Sequence, residues 1–106
     1  MTQLLTLDDS NLEQHVRGAT LLVFSSAWCG PCQLLVPILE TLARSRAGRL
    51  RVAKLDVDHA RAASVRYGVR GVPTLVLVRD GAELARTTGA ATSMQLGDWV
   101  DRTLGT

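Results

Sequence analysis

The chain has two cysteines, Cys29 and Cys32, and they lie three positions apart. The apolar run at residues 20–24 predicts a buried strand before them, and apolar positions at helical spacing follow Cys32. The N–H groups and the dipole of a helix N-terminus stabilise an anion, so this position favours thiolate character at Cys29. Residues at i and i+3 of a helix are also close enough to form a disulfide. The pattern therefore predicts thiol–disulfide exchange.

The two residues between the cysteines suit this chemistry. Gly30 leaves the approach to Cys29 unobstructed, because it has no side chain. Pro31 fits the first turn of the helix, where its missing N–H would have lacked a partner. We expect Cys29 to be exposed at the helix start, with Cys32 one turn inside. Cys29 is therefore the expected nucleophile.

A zinc site and a structural disulfide are the alternative uses of such a pair. A zinc site normally has four ligands, and the two histidines, His15 and His59, are not near the cysteines in sequence. A structural disulfide that closes so small a loop would add little stability. We therefore expect a redox-active pair, with no metal and no separate cofactor.

The composition is that of an ordinary globular domain. Of the 106 residues, 46% are hydrophobic and 21% are charged, which argues against disordered, collagen-like and coiled-coil classes. This length is usual for one domain, so we expect residues 1–106 to form a single domain. Because aromatic residues make up only 4%, the core must be built mainly from Leu, Val and Ala. Such a core suits a buried sheet covered by helices.

The charge pattern gives no sign of nucleic-acid binding. The chain has 12 basic and 10 acidic residues, a net charge of +2, and the basic residues are spread along it. The densest basic stretch, residues 44–51, has no aromatic side chain on which a base could stack. We interpret it as a solvated helix end and loop, and we expect no nucleic-acid partner.

No pattern in the sequence indicates export or membrane insertion. Residues 1–11 carry Asp8 and Asp9 where a signal peptide would need its apolar stretch. The longest apolar runs, residues 19–24 and 72–78, fall well short of the roughly 20 residues needed to cross a bilayer. We therefore expect a cytoplasmic protein with no membrane partner.

The remaining patterns predict the element order βαβαβαββα and an α/β layer architecture. Pro37 is predicted to kink the long helix after Cys32 without ending it. Asp80-Gly81 predicts a hairpin between the last two strands. Three signals predict helix starts: Ser10 with Glu13 for the first helix, Asp58 for the third, and Thr92 with Gln95 for the last.

The motif Trp28-Cys29-Gly30-Pro31-Cys32 resembles the active-site sequence of the thioredoxin family. The resemblance extends over nearly the whole chain, through VAKLDVD at 52–58, YGVRGVPTL at 67–75, the Asp80-Gly81 turn and Gly89-Ala90. It implies the thioredoxin fold, a five-stranded mixed sheet flanked by four α-helices. It also implies a protein-disulfide reductase that acts as a monomer, with protein disulfides as substrates and a thioredoxin reductase as electron donor.

The resemblance further implies roles for individual residues. Cys29 would attack the client disulfide and Cys32 would resolve the mixed disulfide. A cis peptide bond is expected between Val72 and Pro73, beside the cysteines. The substrate groove would be formed by Trp28, Val72, Pro73, Gly89 and Ala90. The residues that support the active site would be Trp28, Gly30, Pro31, Lys54 and Pro73.

Two residues depart from the family pattern. Val23 stands where the family usually has a buried aspartate, which is thought to help remove the proton of the resolving thiol. Its absence deprives Lys54 of a charge partner, and we expect attenuated rather than abolished activity. Ser25 stands where the family usually has tryptophan, so the active-site loop loses a large ring beneath it.

Three functions remain open from the sequence: a general protein-disulfide reductase, a dedicated oxidoreductase for one client pathway, and a peptide-binding module with secondary redox chemistry. The presence of both cysteines together with Pro31 and Pro73 favours an enzyme. Between a general and a dedicated reductase the sequence hardly decides.

Overall fold

A five-stranded sheet with helices on both faces is the framework of the computed structural model, which describes residues 4–89 and 91–105. In chain order the elements are β1 (Leu4–Leu7), α1 (Leu12–His15), β2 (Ala19–Ser25), α2 (Gly30–Ser45), β3 (Arg51–Asp56), α3 (Arg61–Arg66), β4 (Thr74–Arg79), β5 (Ala82–Thr88) and α4 (Ser93–Leu104). The predicted element order and the mixed sheet with four helices are confirmed.

The strand that leads to the cysteines, β2, is the central strand of the sheet. The strand order is β1-β3-β2-β4-β5, with β1, β3 and β2 parallel and with β4 antiparallel to both β2 and β5. Residues 20–24 of β2 are buried, which explains their continuous apolar and β-branched character. The end of β2 therefore places the cysteine segment at the middle of one edge of the structure.

Side chains of β2 alternate between two separate cores, as the pleat of a strand requires. Leu22 and Phe24 pack with residues of α1 and α3 on one face. Leu21 and Val23 pack with residues of α2 and α4 on the other. Burying a side chain of this size contributes about 1.5 to 3 kcal/mol, so the core that contains Leu21 and Val23 fixes β2 and α2 firmly against each other.

Helix α2 runs without a break from the cysteines to Ser45, and Pro37 lies inside it. Its buried face is formed by Leu35, Leu39, Leu42 and Ala43, at the spacing of one helical stripe. At its far end, Arg46 donates two hydrogen bonds to the Asp101 carboxylate of α4, at 3.1 and 2.8 Å, and these lower the pKa of Asp101.

Gly97 of α4 provides the room for this contact. A Cβ atom at that position would lie 2.8 Å from the Arg46 guanidinium. The glycine that weakens α4 intrinsically thus permits an ion pair that joins the two helices on this face of the sheet.

Two of the local signals are confirmed. Thr92 and Gln95 form a complete capping box at the start of α4, with hydrogen bonds of 3.1 and 3.0 Å. Asp80 and Gly81 join β4 to β5, and both have the positive φ that a two-residue type I′ hairpin turn requires.

The predicted capping box of Ser10 and Glu13 is wrong. The N-cap of α1 is Asn11, and no side chain caps the helix. Ser10 instead donates its N–H and its hydroxyl to the Asp8 carboxylate, and Glu13 forms an ion pair with Arg66 of α3. The Ser10 hydroxyl therefore donates to the neighbouring Asp8 carboxylate and does not cap α1.

The position of Asp58 in the sequence predicts that it caps α3, and this prediction is wrong. The N-cap of α3 is Ala60, whose side chain forms no capping hydrogen bond. The carboxylate of Asp9, more than 50 residues earlier, accepts the N–H groups of Ala62 and Ala63 at 3.0 and 2.9 Å. A carboxylate from the turn after β1 therefore caps α3 from outside its own segment.

Replacing Asp9 with alanine should lower the free energy of unfolding by about 1 kcal/mol, the usual loss for a helix cap. Asp58→Ala is the matched control, because it removes an exposed carboxylate beside the same helix without removing a cap. Chemical-denaturation midpoints of the two variants measure the difference. A larger loss from Asp58→Ala than from Asp9→Ala would contradict this account of the cap.

Candidate active site

The loop between β2 and α2 places Cys29 at the N-cap of α2. Cys29 has an extended backbone, and its N–H donates to the Ser26 carbonyl at 3.3 Å. The helix begins at Gly30, with Pro31 in its first turn. One turn brings Cys32 to a Cα separation of 5.3 Å from Cys29, and the two cysteines form a disulfide.

The two sulfurs differ in hydrogen bonding more than in exposure. Cys29 is 6% exposed and Cys32 is 4% exposed in the disulfide form, so the expected contrast between an exposed and a buried cysteine is wrong for this state. The Cys29 Sγ, however, accepts the Cys32 N–H at 3.2 Å, within the first turn of the helix. That donor favours negative charge on Cys29 when the pair is reduced.

The residues that flank the cysteines are on the surface. The Trp28 side chain is 73% exposed and therefore belongs to neither core. Gly30 and Pro31 are exposed as well, and a Cβ atom at Gly30 would meet no atom within 4 Å. The surface around the disulfide is accordingly open and partly apolar.

The peptide bond between Val72 and Pro73 is cis, as expected. Its loop and the start of α2 line a groove of about 580 Å³ that includes Pro31, Val72, Pro73 and Gly89. The Gly89 N–H donates to the Pro73 carbonyl at 3.3 Å, which ties the end of β5 to this loop. Three of the predicted groove residues, Val72, Pro73 and Gly89, therefore lie together beside Pro31, while Ala90 lies outside the described residues.

A second, smaller groove of about 200 Å³ lies on the other side of the same loop. Trp28 and Val72 line it, together with Val57 and Val69. Arg70 lines both grooves, and sequence reasoning missed it. The only feature of the sequence that could have indicated this role for Arg70 was its position in the segment that leads to Pro73.

Val23 lies beneath the active site, in the core between the sheet and α2. It is 1% exposed, and its partners across the sheet are Lys54 of β3 and Leu75 of β4. Lys54 is half-buried and forms no ion pair with a carboxylate of the described residues. Val23 thus lies opposite Lys54 at the position where the family resemblance implies an aspartate.

Sequence reasoning also missed Ser26. It is buried, and its hydroxyl has no hydrogen-bond partner among the described residues. Its carbonyl accepts the Cys29 N–H and, at 3.5 Å, the side-chain amide of Gln33. Ser26 therefore holds the loop that carries Cys29 against the first turns of α2. Nothing in its residue type signals this role.

Within residues 4–89 and 91–105, no three or more His, Cys, Asp or Glu side chains are grouped so that they could hold a metal ion. None of the helices described is long and apolar enough to cross a membrane.

Comparison with known proteins identifies the family. The family model described as thioredoxin matches residues 3–102. A thioredoxin of Pseudomonas aeruginosa is 38% identical over 101 residues, which cover 92% of this chain and 94% of that protein. A thioredoxin of Haemophilus influenzae is 34% identical over 105 residues, covering 96% and 98% of the two chains. With its cysteine pair in a disulfide at the start of α2, the chain belongs to the thioredoxin family and is a thiol–disulfide oxidoreductase.

Proposed function

We propose that the chain reduces disulfides in other proteins, with Cys29 as the attacking thiolate and Cys32 as the resolving thiol. The observation that carries this assignment is the 3.2 Å hydrogen bond from the Cys32 N–H to the Cys29 Sγ, at the N-terminus of a 16-residue helix. Both the donor and the helix dipole stabilise negative charge on Cys29. Cys29 therefore has the thiolate character that the first step needs.

The client would dock as an extended segment beside the cis-proline loop. The backbone N–H and C=O of Val72 form no hydrogen bond with a described residue, whereas the chain from Thr74 onward is paired in the sheet. Free backbone groups next to the cysteines can pair with a client strand. Trp28, Pro73 and Gly89, with Ala90 beside them in sequence, would form the walls of this site.

The proposed reaction transfers two electrons from the cysteine pair to the client. The Cys29 thiolate attacks one client sulfur, a mixed disulfide forms, and the other client sulfur leaves as a thiolate that takes up a proton. Cys32 then loses its proton and attacks the Cys29 sulfur. The intramolecular disulfide forms and the second client thiolate leaves.

Lys54 would support the second step from the α2 side of the sheet. It lies opposite Val23 in register, and its ammonium group would stabilise negative charge that develops on Cys32. No cofactor is needed, since the cysteine pair itself carries the electrons. A thioredoxin reductase is the proposed donor that returns the pair to the dithiol.

The proposed working form is a monomeric single domain of residues 1–106 in the cytoplasm. The five strands form one sheet, and both cores pack on it, which supports one domain. A reducing compartment is where a reductase can keep such a pair in the dithiol state.

An insulin-reduction assay tests the proposed function. The chain should accelerate precipitation of insulin B chain with dithiothreitol as donor, and again with NADPH and a thioredoxin reductase. Heat-treated or alkylated protein is the control for nonspecific effects. Acceleration with neither donor would contradict the proposed reductase and would favour the peptide-binding alternative, while activity with dithiothreitol alone would remove the proposed donor.

A further inference from the structure

A second concave site lies at the end of the sheet opposite the cysteines. There the starts of β2 and β3 and the loop after α2 enclose a cleft of about 540 Å³, which we name the arginine cleft. Arg17, Arg49 and Arg51 line it, with Leu5 and Leu50 as apolar wall. The seven residues of β2, at about 3.3 Å each, put it roughly 20 Å from the disulfide.

The sequence could not group these residues. Arg49 and Arg51 belong to the basic stretch interpreted above as a solvated helix end and loop. The fold adds Arg17, which is more than 30 positions away, and turns the stretch into one wall of a concave site. The Arg51 Nη1 also donates to the carbonyl of His15 at 3.4 Å, which holds its guanidinium at this wall.

Within the described residues, no carboxylate forms an ion pair with the three arginines of the arginine cleft. In the described part of the chain, the arginines that form ion pairs are Arg46, Arg66 and Arg86, none of which lines the cleft. No acidic residue lines it either. Asp80 accepts the N–H of Gly18 at 2.7 Å, and the Asp101 carboxylate, which pairs with Arg46, also interacts with the charge of Arg49. The three guanidinium groups of the cleft therefore have two carboxylates near them, and one of these is already paired with Arg46.

The C-terminus of α2 accounts for other arginines at this end of the molecule, but not for these three. Cations near a helix C-terminus offset its partial negative charge, and Arg44 and Arg46 occupy the last turn and the C-cap of α2. Arg49 and Arg51 lie beyond that cap, and Arg17 follows α1. All three are exposed, so water and salt already screen their mutual repulsion, and a bound anion would lower it further.

The volume and the charge of the cleft suit a small ligand that carries several charges. A guanidinium binds phosphate through two parallel hydrogen bonds, so three of them suit a ligand with more than one such group. The volume is in the range of small-molecule sites, which extends over about 300 to 1,000 Å³. His15 also lines the cleft, and a histidine ring or a guanidinium plane can stack on a base, so the lining specifies only the phosphate groups of the ligand. We infer that the arginine cleft binds a small molecule with two or more phosphate groups.

Calorimetric titration of the full chain with inorganic tripolyphosphate at physiological salt tests this inference. We expect saturable binding at one site. The affinity should fall at least about tenfold in the double variant Arg17→Gln with Arg49→Gln, because two of the three guanidinium groups are lost. The matched control is Arg44→Gln with Arg79→Gln, which removes two charges from the same end of the molecule outside the cleft. It should weaken binding less than about twofold.

Insulin reduction by the cleft variant should equal that of the unmodified chain, which separates this site from the cysteine site and shows that the variant is folded. Equal weakening by the control variant would overturn the inference, because binding would then depend on overall charge. Absence of saturable binding in the millimolar range would overturn it too, as would tighter binding of a polyglutamate peptide than of tripolyphosphate.

Discussion

Cys29→Ser should reduce insulin reduction to the rate of the donor alone, whereas Cys32→Ser should accumulate a mixed disulfide between Cys29 and the client. A serine hydroxyl cannot replace the thiolate in the attack on a disulfide, so the first step is lost entirely in Cys29→Ser. In Cys32→Ser the first step proceeds, but no thiol remains in the chain to displace the client.

Intact-protein mass spectrometry after reaction with a disulfide-containing peptide measures this difference. The Cys32→Ser protein should gain the mass of one half of the client, and dithiothreitol should release it. The double variant Cys29→Ser with Cys32→Ser is the control and should gain no mass. An adduct on Cys29→Ser instead of Cys32→Ser would reverse the two roles.

Alkylation gives an independent measure of the same assignment. In the reduced chain, iodoacetamide near neutral pH should label Cys29 before Cys32, because the Cys32 N–H and the start of α2 favour negative charge on Cys29. The nearly equal burial of the two cysteines in the disulfide form makes this a test of electrostatics rather than of exposure alone.

Some features that depend on neighbours in sequence could be predicted, whereas the equally local predictions for Ser10 with Glu13 and for Asp58 were wrong. The Thr92–Gln95 capping box and the Asp80-Gly81 turn are formed by residues within a single turn, and each adopts the predicted geometry. The central strand followed from the apolar run of residues 20–24. The cis bond before Pro73 could be expected only through the family resemblance, because residue type does not decide it.

Features that depend on the fold could not be predicted. The Asp9 carboxylate reaches α3 because β1 and β3 are adjacent parallel strands, whose following turns meet at one edge of the sheet. Arg17 lies close to Arg49 and Arg51 because β2 and β3 are also adjacent parallel strands, and the segments that precede them meet at the opposite edge of the sheet. The nearly equal burial of the two cysteines results from tertiary packing, and their spacing in the sequence carries no information about it.

Val23→Asp should speed turnover severalfold near neutral pH while lowering the free energy of unfolding. Val23 is packed among apolar side chains of the core, and a polar group there costs about 1 to 3 kcal/mol. Lys54 lies directly opposite in the β2–β3 register, and a cross-strand pair of opposite charges would offset up to about 1 kcal/mol of that cost.

The rate should increase because a carboxylate at position 23 can accept the proton of the resolving thiol. Cys32 lies on α2, which packs on the same face of the sheet as Val23, and no described carboxylate is paired with Lys54 there. The affected step is therefore release of the mixed disulfide rather than the first attack. The gain should shrink as the pH rises toward the ordinary cysteine pKa of about 8.5, because Cys32 then ionises without a base.

Val23→Asn separates the base from the mere presence of a polar group. It has the shape of the aspartate variant and should destabilise the chain to a similar extent, but its amide cannot accept a proton at neutral pH. Insulin reduction measured from pH 6 to 9, together with denaturation midpoints, compares the three proteins. If the aspartate variant is no faster than the asparagine variant at any pH, Val23 contributes only to the core. The proton of Cys32 would then leave through water or through a group other than a carboxylate at this position.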